Sequence, residues 1–326
     1  MKPKVYVTRR MPDTVTSRLR DRLDVDIWDV EDEPVPRDTL LRSVNGVQGV
    51  LCLLTDRIDE EFLRAAPEVR VVANMAVGYD NIDVAACTRH KVMITNTPGV
   101  LTETTADLAF GLLLATARRI PESEQVLLKG QWKTWSPMFL AGLDVHGATL
   151  GIAGLGRIGE AVAKRAQGFS MRLLYWDKVR NLSVEESLGV EYRRFDDLLR
   201  ESDFITIHLP LEAETRGLFG EREFGLMKPS AVLINTARGP IVQMQALYDA
   251  LVGKKIWAAG LDVYDADPVS PDDPVVNLDN VVALPHIGSA SIATRVKMAS
   301  MAAENLIAGL SGAVPPNLVN AVHVGF

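Results

Sequence analysis

One short segment constrains the fold of this chain more than any other part of its sequence. An apolar run at Thr149–Ala153 predicts a buried strand, and it leads directly into the pattern G-x-G-x-x-G. The three glycines are Gly154, Gly156 and Gly159. A helical pattern covers Glu160–Gln167, and a second apolar run at Leu173–Trp176 leads to Asp177, roughly 20 residues beyond the glycines. This order of strand, glycine turn, helix, strand and acidic residue is typical of a parallel α/β unit that binds a dinucleotide.

Each residue of this pattern has a physical role in such a unit. Gly154 permits the tight turn, Gly156 lets the backbone approach a pyrophosphate, and Gly159 lets the helix pack closely on the strand. The helix N-terminus directs unpaired N–H groups and the positive end of its dipole at the phosphates. Asp177 is placed to accept hydrogen bonds from both hydroxyls of the adenine ribose.

The composition is that of a globular protein and narrows the possible functions. The chain has 326 residues, enough for two domains, with 47% hydrophobic and 24% charged residues. A net charge of −7 without a basic run argues against nucleic-acid binding, and no apolar run is long enough to predict a membrane span. Cys52 and Cys87 provide neither a disulfide framework nor metal-ligand spacing. We therefore expect a cytoplasmic protein without a metal site.

Predicted strands and helices alternate through the first part of the chain, which favours a parallel sheet. The predicted strands are Lys4–Thr8, Val25–Trp28, Gly49–Leu53 and Val69–Asn74, and the predicted helices are Asp13–Leu23, Arg37–Ser43 and Asp59–Ala65. A long helix is predicted at Leu101–Arg119, followed by an irregular aromatic stretch at Gly130–Leu143. That helix and stretch are either a dimer surface or internal packing.

The glycine pattern then opens a second α/β unit. Its later strands are predicted at Phe204–Leu209, Ala231–Asn235, Ala258–Asp262 and Val281–Ala283. A final helix at Ser291–Leu310 follows, and we expect it to complete the N-terminal domain. The predicted domains are therefore 1–99 with 289–326, and 100–288.

Three clusters at the ends of predicted strands contain the chemistry of a carbonyl reductase. Arg238 precedes a Gly-Pro turn, and arginine suits bidentate capture of a carboxylate. Asp267 belongs to an acidic loop with Asp262 and Asp265. His286 stands between a proline and a nearby glycine, and histidine is the natural proton donor near neutral pH. Each alone is compatible with a solvated loop residue, but together they supply anion binding, an orienting carboxylate and an acid.

Several longer motifs make the chain resemble the D-isomer-specific 2-hydroxyacid dehydrogenases, in particular their glyoxylate/hydroxypyruvate reductase branch. The motifs are Asn74–Asp83, Thr95–Glu103, Gly154–Gly159, Asp203–Leu211 with Thr215, Asn235–Gly239 and Pro285–Ala290. The resemblance covers essentially the whole chain. It implies two Rossmann-like doubly wound α/β domains, a flavodoxin-like substrate domain and an NAD-binding Rossmann domain, with a cleft between them, and a homodimer.

The resemblance also implies residue roles. Arg238 would hold the carboxylate and carbonyl of a 2-keto acid, His286 would act as the general acid, and Asp267 would act as its relay carboxylate. The remaining implied substrate-binding residues are Leu54, Val77, Gly78, Arg295 and Trp135. Val77 and Gly78 would bind the carboxylate through backbone N–H groups, and Leu54 and Val77 predict an apolar wall that suits glyoxylate or hydroxypyruvate. Trp135 either reaches the neighbouring subunit's site or only packs.

The implied cofactor-binding residues belong to the glycine turn and to the strand ends that follow it. They are Thr104, Gly154, Leu155, Gly156, Arg157, Ile158, Gly159, Asp177, Lys178, His208, Leu209, Pro210, Thr215, Thr236, Ala237, Arg238, Asp262, His286 and Gly288. Asp262 would be the partner of the nicotinamide carboxamide.

Two positions depart from the usual pattern of the branch. Asp267 stands where the family usually has glutamate, so its shorter side chain must come closer to His286 or reach it through a water. Asp177 stands where many reductases have a small polar residue followed by arginine, so it should repel an NADP 2′-phosphate and favour NAD. Lys178 and Arg180 would offset that repulsion and permit some use of NADP.

Other readings of the same fold stay open at this point. They are a D-3-phosphoglycerate or other D-2-hydroxyacid dehydrogenase, a phosphite dehydrogenase, and a non-catalytic NAD-sensing corepressor. Phosphite dehydrogenases have a lysine where this chain has Val77. The set of Arg238, Asp267 and His286 favours an enzyme that acts on a small 2-keto or 2-hydroxy acid, with no nucleic-acid or membrane partner.

Overall fold

The computed structural model describes residues 1–320, so the last six residues of the predicted 289–326 segment lie outside the described part. The chain divides into two compact units. The first consists of Met1–Leu101 and the C-terminal stretch that begins at Ser289, and the second is Thr102–Gly288. No helix in the described residues is long and apolar enough to cross a membrane.

The first unit contains a five-stranded parallel sheet in the order β2-β1-β3-β4-β5. Its strands are β1 (Lys4–Val7), β2 (Asp24–Ile27), β3 (Gly49–Cys52), β4 (Val71–Asn74) and β5 (Met93–Thr95). Its helices are α1 (Asp13–Arg22), α2 (Arg37–Ser43), α3 (Glu60–Ala65), α4 (Val84–Arg89) and the C-terminal α12 (Ile292–Leu310). The strands β3 and β4 are buried on both faces, which explains their continuous apolar sequences. This flavodoxin-like strand order confirms the predicted fold class.

Helix α12 packs on the sheet of the first unit at unusually close range. A Cβ on Gly49 would lie 2.7 Å from Leu306 Cδ1, and one on Gly309 would lie 2.6 Å from Val71 Cγ2. The absence of side chains at these two glycines lets the helix and the strands approach each other. Residues from the two ends of the sequence therefore share one hydrophobic core.

The second unit contains a seven-stranded parallel sheet in the order β12-β11-β10-β9-β6-β7-β8. Its strands are β6 (Thr149–Ala153), β7 (Arg172–Trp176), β8 (Glu191–Tyr192), β9 (Phe204–Ile207), β10 (Val232–Asn235), β11 (Ala258–Leu261) and β12 (Val281–Ala283). Its helices are α5 (Thr102–Ala117), α6 (Ile120–Leu128), α7 (Arg157–Gln167), α8 (Leu182–Leu188), α9 (Phe195–Glu201), α10 (Glu221–Leu226) and α11 (Met244–Val252). This doubly wound sheet confirms the second Rossmann-like unit.

The region between α5 and β6 differs from the sequence prediction. The predicted helix Leu101–Arg119 ends at Ala117, and Arg119 adopts a left-handed conformation with φ +52°. A separate helix, α6, then begins at Ile120 with a proline in its first turn, before the predicted irregular stretch. Helix α5 has eight buried residues and belongs to the core of its own unit, so it provides internal packing.

Candidate active site

The glycine-rich turn lies between β6 and α7 and is packed on one side only. Gly154 has φ +98°, and a Cβ there would lie 2.8 Å from the backbone of His208. A Cβ on Gly159 would overlap the carbonyl oxygen of Gly154. Among the described residues, only chain neighbours come within 4 Å of where a Cβ of Gly156 would stand. The turn therefore has the open backbone surface that a pyrophosphate needs, at the start of helix α7 where Arg157 and Ile158 follow.

Asp177 follows β7 and faces this turn. Its Oδ2 accepts a hydrogen bond from the backbone N–H of Leu155 at 2.8 Å, and its Oδ1 accepts one from the N–H of Lys178 at 2.7 Å. These bonds fix the carboxylate beside the glycine turn, where a ribose would be attached to the pyrophosphate. The residues therefore fit a dinucleotide whose ribose hydroxyls donate to Asp177.

The loop after β9 lies directly against the glycine turn. The backbone of His208 contacts Gly154, and burial lowers the pKa of the His208 imidazole to about 3, so this ring is neutral at physiological pH. Leu209 is buried and Pro210 is exposed. The buried hydroxyl of Thr215 donates to the carbonyl of Pro210 at 2.6 Å and so closes the loop.

The end of β10 carries Thr236, Ala237 and Arg238. Asn235 shapes this turn, because its Oδ1 accepts from the N–H of Ala237 at 3.0 Å and its Nδ2 donates to the carbonyl of Arg238 at 3.0 Å. The hydroxyl of Thr236 is buried and has no hydrogen-bond partner among the described residues. An orphaned buried hydroxyl at a strand end of this sheet is consistent with a site that a cofactor completes. Thr104, another predicted cofactor residue, lies in the first turn of α5.

His286 follows β12 in a strained backbone conformation that its neighbours hold in place. Its φ is +54°, in the left-handed region that a non-glycine residue rarely adopts. The next two N–H groups, those of Ile287 and Gly288, donate to Oδ1 and Oδ2 of Asp262, each at 2.8 Å. Asp262 is fully buried, and burial raises the pKa of its carboxyl, while the two N–H donors and His286 act in the opposite direction. Asp262 thus anchors the loop that presents the imidazole.

The carboxylate of Asp267 contacts His286 directly. Its Oδ2 lies 2.7 Å from His286 Nδ1, and both side chains are 27% exposed. Its Oδ1 accepts from the backbone N–H of Tyr264 at 3.2 Å. The shorter aspartate therefore reaches the histidine without a bridging water. Because Nδ1 is engaged by the carboxylate, Nε2 is the ring nitrogen left for a substrate.

Tyr264 connects the loops that carry Arg238, Asp267 and His286. The sequence analysis did not identify it as a site residue. Its hydroxyl donates to the carbonyl of Leu284 at 2.9 Å, next to the His286 loop. A Cβ on Gly239 would overlap the backbone of Tyr264, so the Arg238 loop lies directly against it. Burial raises the pKa of Tyr264 to about 12. The only sequence signal was an aromatic hydroxyl inside the acidic loop.

The predicted substrate-binding residues of the first unit lie at the ends of its own strands. Leu54 follows β3, and Val77 and Gly78 follow β4. The carbonyl of Val77 accepts from Asn96 Nδ2 at 2.8 Å, and that of Gly78 accepts from Asn74 Nδ2 at 2.9 Å. The Val77 carbonyl shares its peptide with the N–H of Gly78, so Asn96 orients one predicted carboxylate ligand. The N–H of Val77 shares its peptide with the Ala76 carbonyl, which accepts from the N–H of Thr97 at 2.8 Å.

In the same unit, a third asparagine supports the predicted substrate-binding loops, and Arg295 lies in a helix. Asn81 Nδ2 donates to the carbonyls of Leu53 and Asp56, at 3.1 and 2.9 Å, and so joins the loops after β3 and β4. Arg295 lies in the first turn of α12. Asn74, Asn81 and Asn96 were part of the sequence motifs, but their supporting role follows only from these contacts.

Trp135, the remaining predicted substrate residue, lies in the segment between α6 and β6 and is 77% exposed. It is one of several large apolar side chains exposed there and on α6. They are Ile120, Leu127, Leu128, Trp132, Trp135, Met138 and Phe139. Trp135 is therefore a surface residue in the described part of the chain and does not belong to a hydrophobic core.

Comparison with known proteins identifies the family. Residues 110–288 match the family model described as "D-isomer specific 2-hydroxyacid dehydrogenase, NAD binding domain". The chain belongs to the D-isomer-specific 2-hydroxyacid dehydrogenases. It is an NAD(P)-dependent oxidoreductase, as the glycine turn, Asp177 and the Arg238–His286 region predicted.

Relatives of this dehydrogenase are similar over almost its full length. It is 50% identical over 321 residues to a glyoxylate reductase from Korarchaeum cryptofilum and 48% identical over 324 residues to one from Pyrococcus horikoshii; each alignment covers 98% of this chain and 96% of the relative. A Thermus thermophilus crystal structure has a TM-score of 0.91 and 42% identity, with 97% of this chain and all of that chain covered. An NADPH-dependent glyoxylate/hydroxypyruvate reductase from Sinorhizobium meliloti, in complex with NADP and malonate, has a TM-score of 0.84 and 32% identity, with 98% and 97% covered.

Proposed function

We propose that the protein reduces small 2-keto acids, with glyoxylate and hydroxypyruvate as the expected substrates, to D-2-hydroxy acids. The observation that carries this proposal is the 2.7 Å contact between His286 and Asp267, held beside the Arg238 loop at the strand ends of the NAD-binding unit. The names of the similar glyoxylate reductases support the substrate class.

The proposed mechanism assigns one task to each side chain. The bound reduced cofactor supplies a hydride to the keto carbon. The guanidinium of Arg238 binds the substrate carboxylate and polarises the carbonyl. Protonated His286 gives the proton on Nε2 to the keto oxygen, and Asp267 stabilises the imidazolium through Nδ1. The products are a hydroxy acid, the oxidised cofactor and a neutral histidine that solvent reprotonates.

For the first unit, we propose that the N–H groups of Val77 and Gly78 bind the substrate carboxylate. The hydrogen bond from Asn96 to the Val77 carbonyl supports this role, because it fixes the peptide that carries the N–H of Gly78. The hydrogen bond from the N–H of Thr97 to the Ala76 carbonyl fixes the peptide that carries the N–H of Val77. Leu54 and Val77 would form the apolar wall that limits the substrate side chain, and Arg295 would contact substrate.

We further propose that the protein prefers NADH to NADPH and forms a homodimer. The carboxylate of Asp177, fixed by the N–H groups of Leu155 and Lys178, supports the cofactor preference, because it would repel a 2′-phosphate. The exposed apolar side chains of α6 and the following segment support the dimer, with Trp135 reaching the partner's site.

The test is the oxidation of NADH and NADPH, measured separately by absorbance with glyoxylate, hydroxypyruvate and pyruvate. We expect rapid NADH oxidation, with His286→Ala reducing kcat by about 10²- to 10⁴-fold, the usual contribution of a general acid. His146→Ala, which changes an exposed histidine of the same unit, is the matched control and should keep full activity. Product chirality is measured with hydroxypyruvate, because glyoxylate gives an achiral product.

Arg238→Lys separates binding from proton transfer. It keeps the positive charge but loses the bidentate geometry, so KM for the keto acid should rise while the pH dependence of kcat stays that of the parent protein. Absence of turnover with all three acids, despite cofactor binding, would contradict the proposed reaction and favour a non-catalytic cofactor sensor.

A further inference from the structure

Two basic side chains follow Asp177, and the structure commits both of them to carboxylates of the same unit. Lys178 Nζ donates to Glu212 Oε2 at 2.5 Å and to Glu214 Oε2 at 3.5 Å. Arg180 forms a bidentate pair with Glu185, from Nε to Oε1 at 3.0 Å and from Nη2 to Oε2 at 2.6 Å. Lysine and arginine at such positions are the side chains that would otherwise bind a phosphate.

The backbone of Glu212 and the side chain of Glu185 are held in place by groups other than these cations. The N–H of Glu212 donates to the hydroxyl of Thr215 at 2.8 Å, and that buried hydroxyl donates to the Pro210 carbonyl. Glu185 lies on α8, its side chain is only 17% exposed, and its Oε1 accepts from the hydroxyl of the fully buried Tyr175 at 2.5 Å. The Glu185 carboxylate is therefore fixed independently of Arg180, and the backbone position of Glu212 is fixed independently of Lys178.

We propose that Glu212 and Glu185 are specificity-determining residues that exclude a 2′-phosphorylated cofactor by neutralising Lys178 and Arg180. Three carboxylates, those of Glu212, Glu214 and Glu185, are paired with these two cations. With the carboxylate of the preceding Asp177, the group carries an excess of negative charge. A phosphate monoester carries nearly two negative charges at neutral pH and is repelled there. A ribose 2′-hydroxyl is uncharged, so this negative charge does not repel a cofactor without the phosphate.

This arrangement deepens the proposed preference for NADH and rests on that part of the proposed function. Without the paired glutamates, Lys178 and Arg180 would offset the repulsion between Asp177 and a 2′-phosphate. The pairing of both cations accounts for the proposed NADH preference of a chain with two basic residues at this position.

The experiment measures binding of 2′,5′-ADP and of 5′-AMP to the cofactor-free protein by calorimetry, for Glu212→Gln, Glu185→Gln and the double variant. We expect the Kd of 2′,5′-ADP to fall by roughly three- to tenfold for each single variant, and the Kd of 5′-AMP to change less than twofold, because removing one carboxylate changes the interaction only with the added phosphate. The increase in affinity for 2′,5′-ADP should be smaller in high salt, since salt screens charges at the surface.

Glu221→Gln is the matched control, because Glu221 forms an exposed ion pair with Lys255 in the same unit. It should leave both Kd values unchanged. Equal changes for the two nucleotides, or no change in the double variant, would overturn the proposal. NADH turnover with glyoxylate is measured in parallel: its absence in the parent protein contradicts the proposed function, whereas the nucleotide Kd ratios test these two glutamates independently. Thermal unfolding curves show whether Glu185→Gln stays folded, and Glu212→Gln tests the proposal alone if it does not.

Discussion

At the scale of single residues, the contact between Asp267 and His286 is the basis of the proton transfer in the proposed reaction. The carboxylate lies 2.7 Å from Nδ1, close enough for a direct charge-assisted hydrogen bond. A negative charge at this distance favours the protonated imidazole, which is the form that donates a proton during reduction. Aspartate therefore performs the pairing for which the family usually has glutamate.

Replacing Asp267 with asparagine should move the alkaline limit of reduction to lower pH. The amide keeps the size of the side chain and removes its charge, so the imidazolium loses its stabilisation and is present only in more acidic solution. We expect the alkaline limb of the kcat/KM profile to lie at lower pH than in the parent protein. The measurement is the pH–rate profile of keto acid reduction.

Two variants of the same loop control this prediction. Asp265→Asn removes the charge of a neighbouring, exposed aspartate, and should leave the profile unchanged. Asp267→Glu keeps the charge and should keep the midpoint near that of the parent protein. An unchanged profile in Asp267→Asn would mean that another group stabilises the imidazolium.

The sequence predicted which side chains carry the proposed chemistry, but not the hydrogen bonds that hold their loops in place. Arg238, Asp267 and His286 are polar side chains in recognisable motifs at strand ends. The anchoring of the His286 loop by Asp262, and the link through Tyr264, depend on hydrogen bonds to backbone groups far away in sequence. Such contacts leave no local pattern, because any residue supplies the N–H or carbonyl.

At the scale of structural elements, two glycines of the glycine-rich turn are needed for different physical reasons. Gly159 lets α7 pack on β6, because a Cβ there would overlap the carbonyl of Gly154. Gly156 has open space where a Cβ would stand, and its φ of −78° suits any residue. One glycine is therefore required by packing and the other by the approach of a ligand.

Alanine at these two positions should have opposite effects on stability and binding. We expect Gly159→Ala to lower the free energy of unfolding by about 1–3 kcal/mol, as for other overpacked sites. Gly156→Ala should leave the Tm nearly unchanged but weaken NADH binding at least tenfold, because the methyl group occupies the pyrophosphate position. Thermal unfolding and NADH titration of both variants check this, and equal losses of Tm would contradict it.

Element boundaries show where sequence patterns are sufficient and where they are not. Strand β6 and helix α2 have the predicted bounds, because an apolar run or a proline-led helix start marks each end. Helix α6 was missed, because only two residues, Arg118 and the left-handed Arg119, separate it from α5, without any glycine to signal the break. The short helices α8 to α11 were also not predicted, since their amphipathic patterns are brief.

At the scale of the whole molecule, the exposed apolar side chains of α6 and the following segment are the basis of the proposed dimer. Leu128 and Trp135 are 71% and 77% exposed, and both belong to this surface. Exposure of several large apolar side chains in one region is unfavourable unless a partner covers them. The proposed partner is a second copy of this chain.

Charge introduced into this surface should dissociate the dimer. The parent protein should have twice the 35.7 kDa mass of the chain in light scattering at micromolar concentration, and Leu128→Glu should shift the mass to that of a monomer. Trp135→Ala should remain dimeric but raise KM for the keto acid, because the proposed role of this side chain is to complete the partner's site. Val314→Glu, which alters an exposed apolar residue of the other unit, should change neither property. If Leu128→Glu stays dimeric and Trp135→Ala keeps its KM, this surface does not form the interface, and Trp135 has no part in the site.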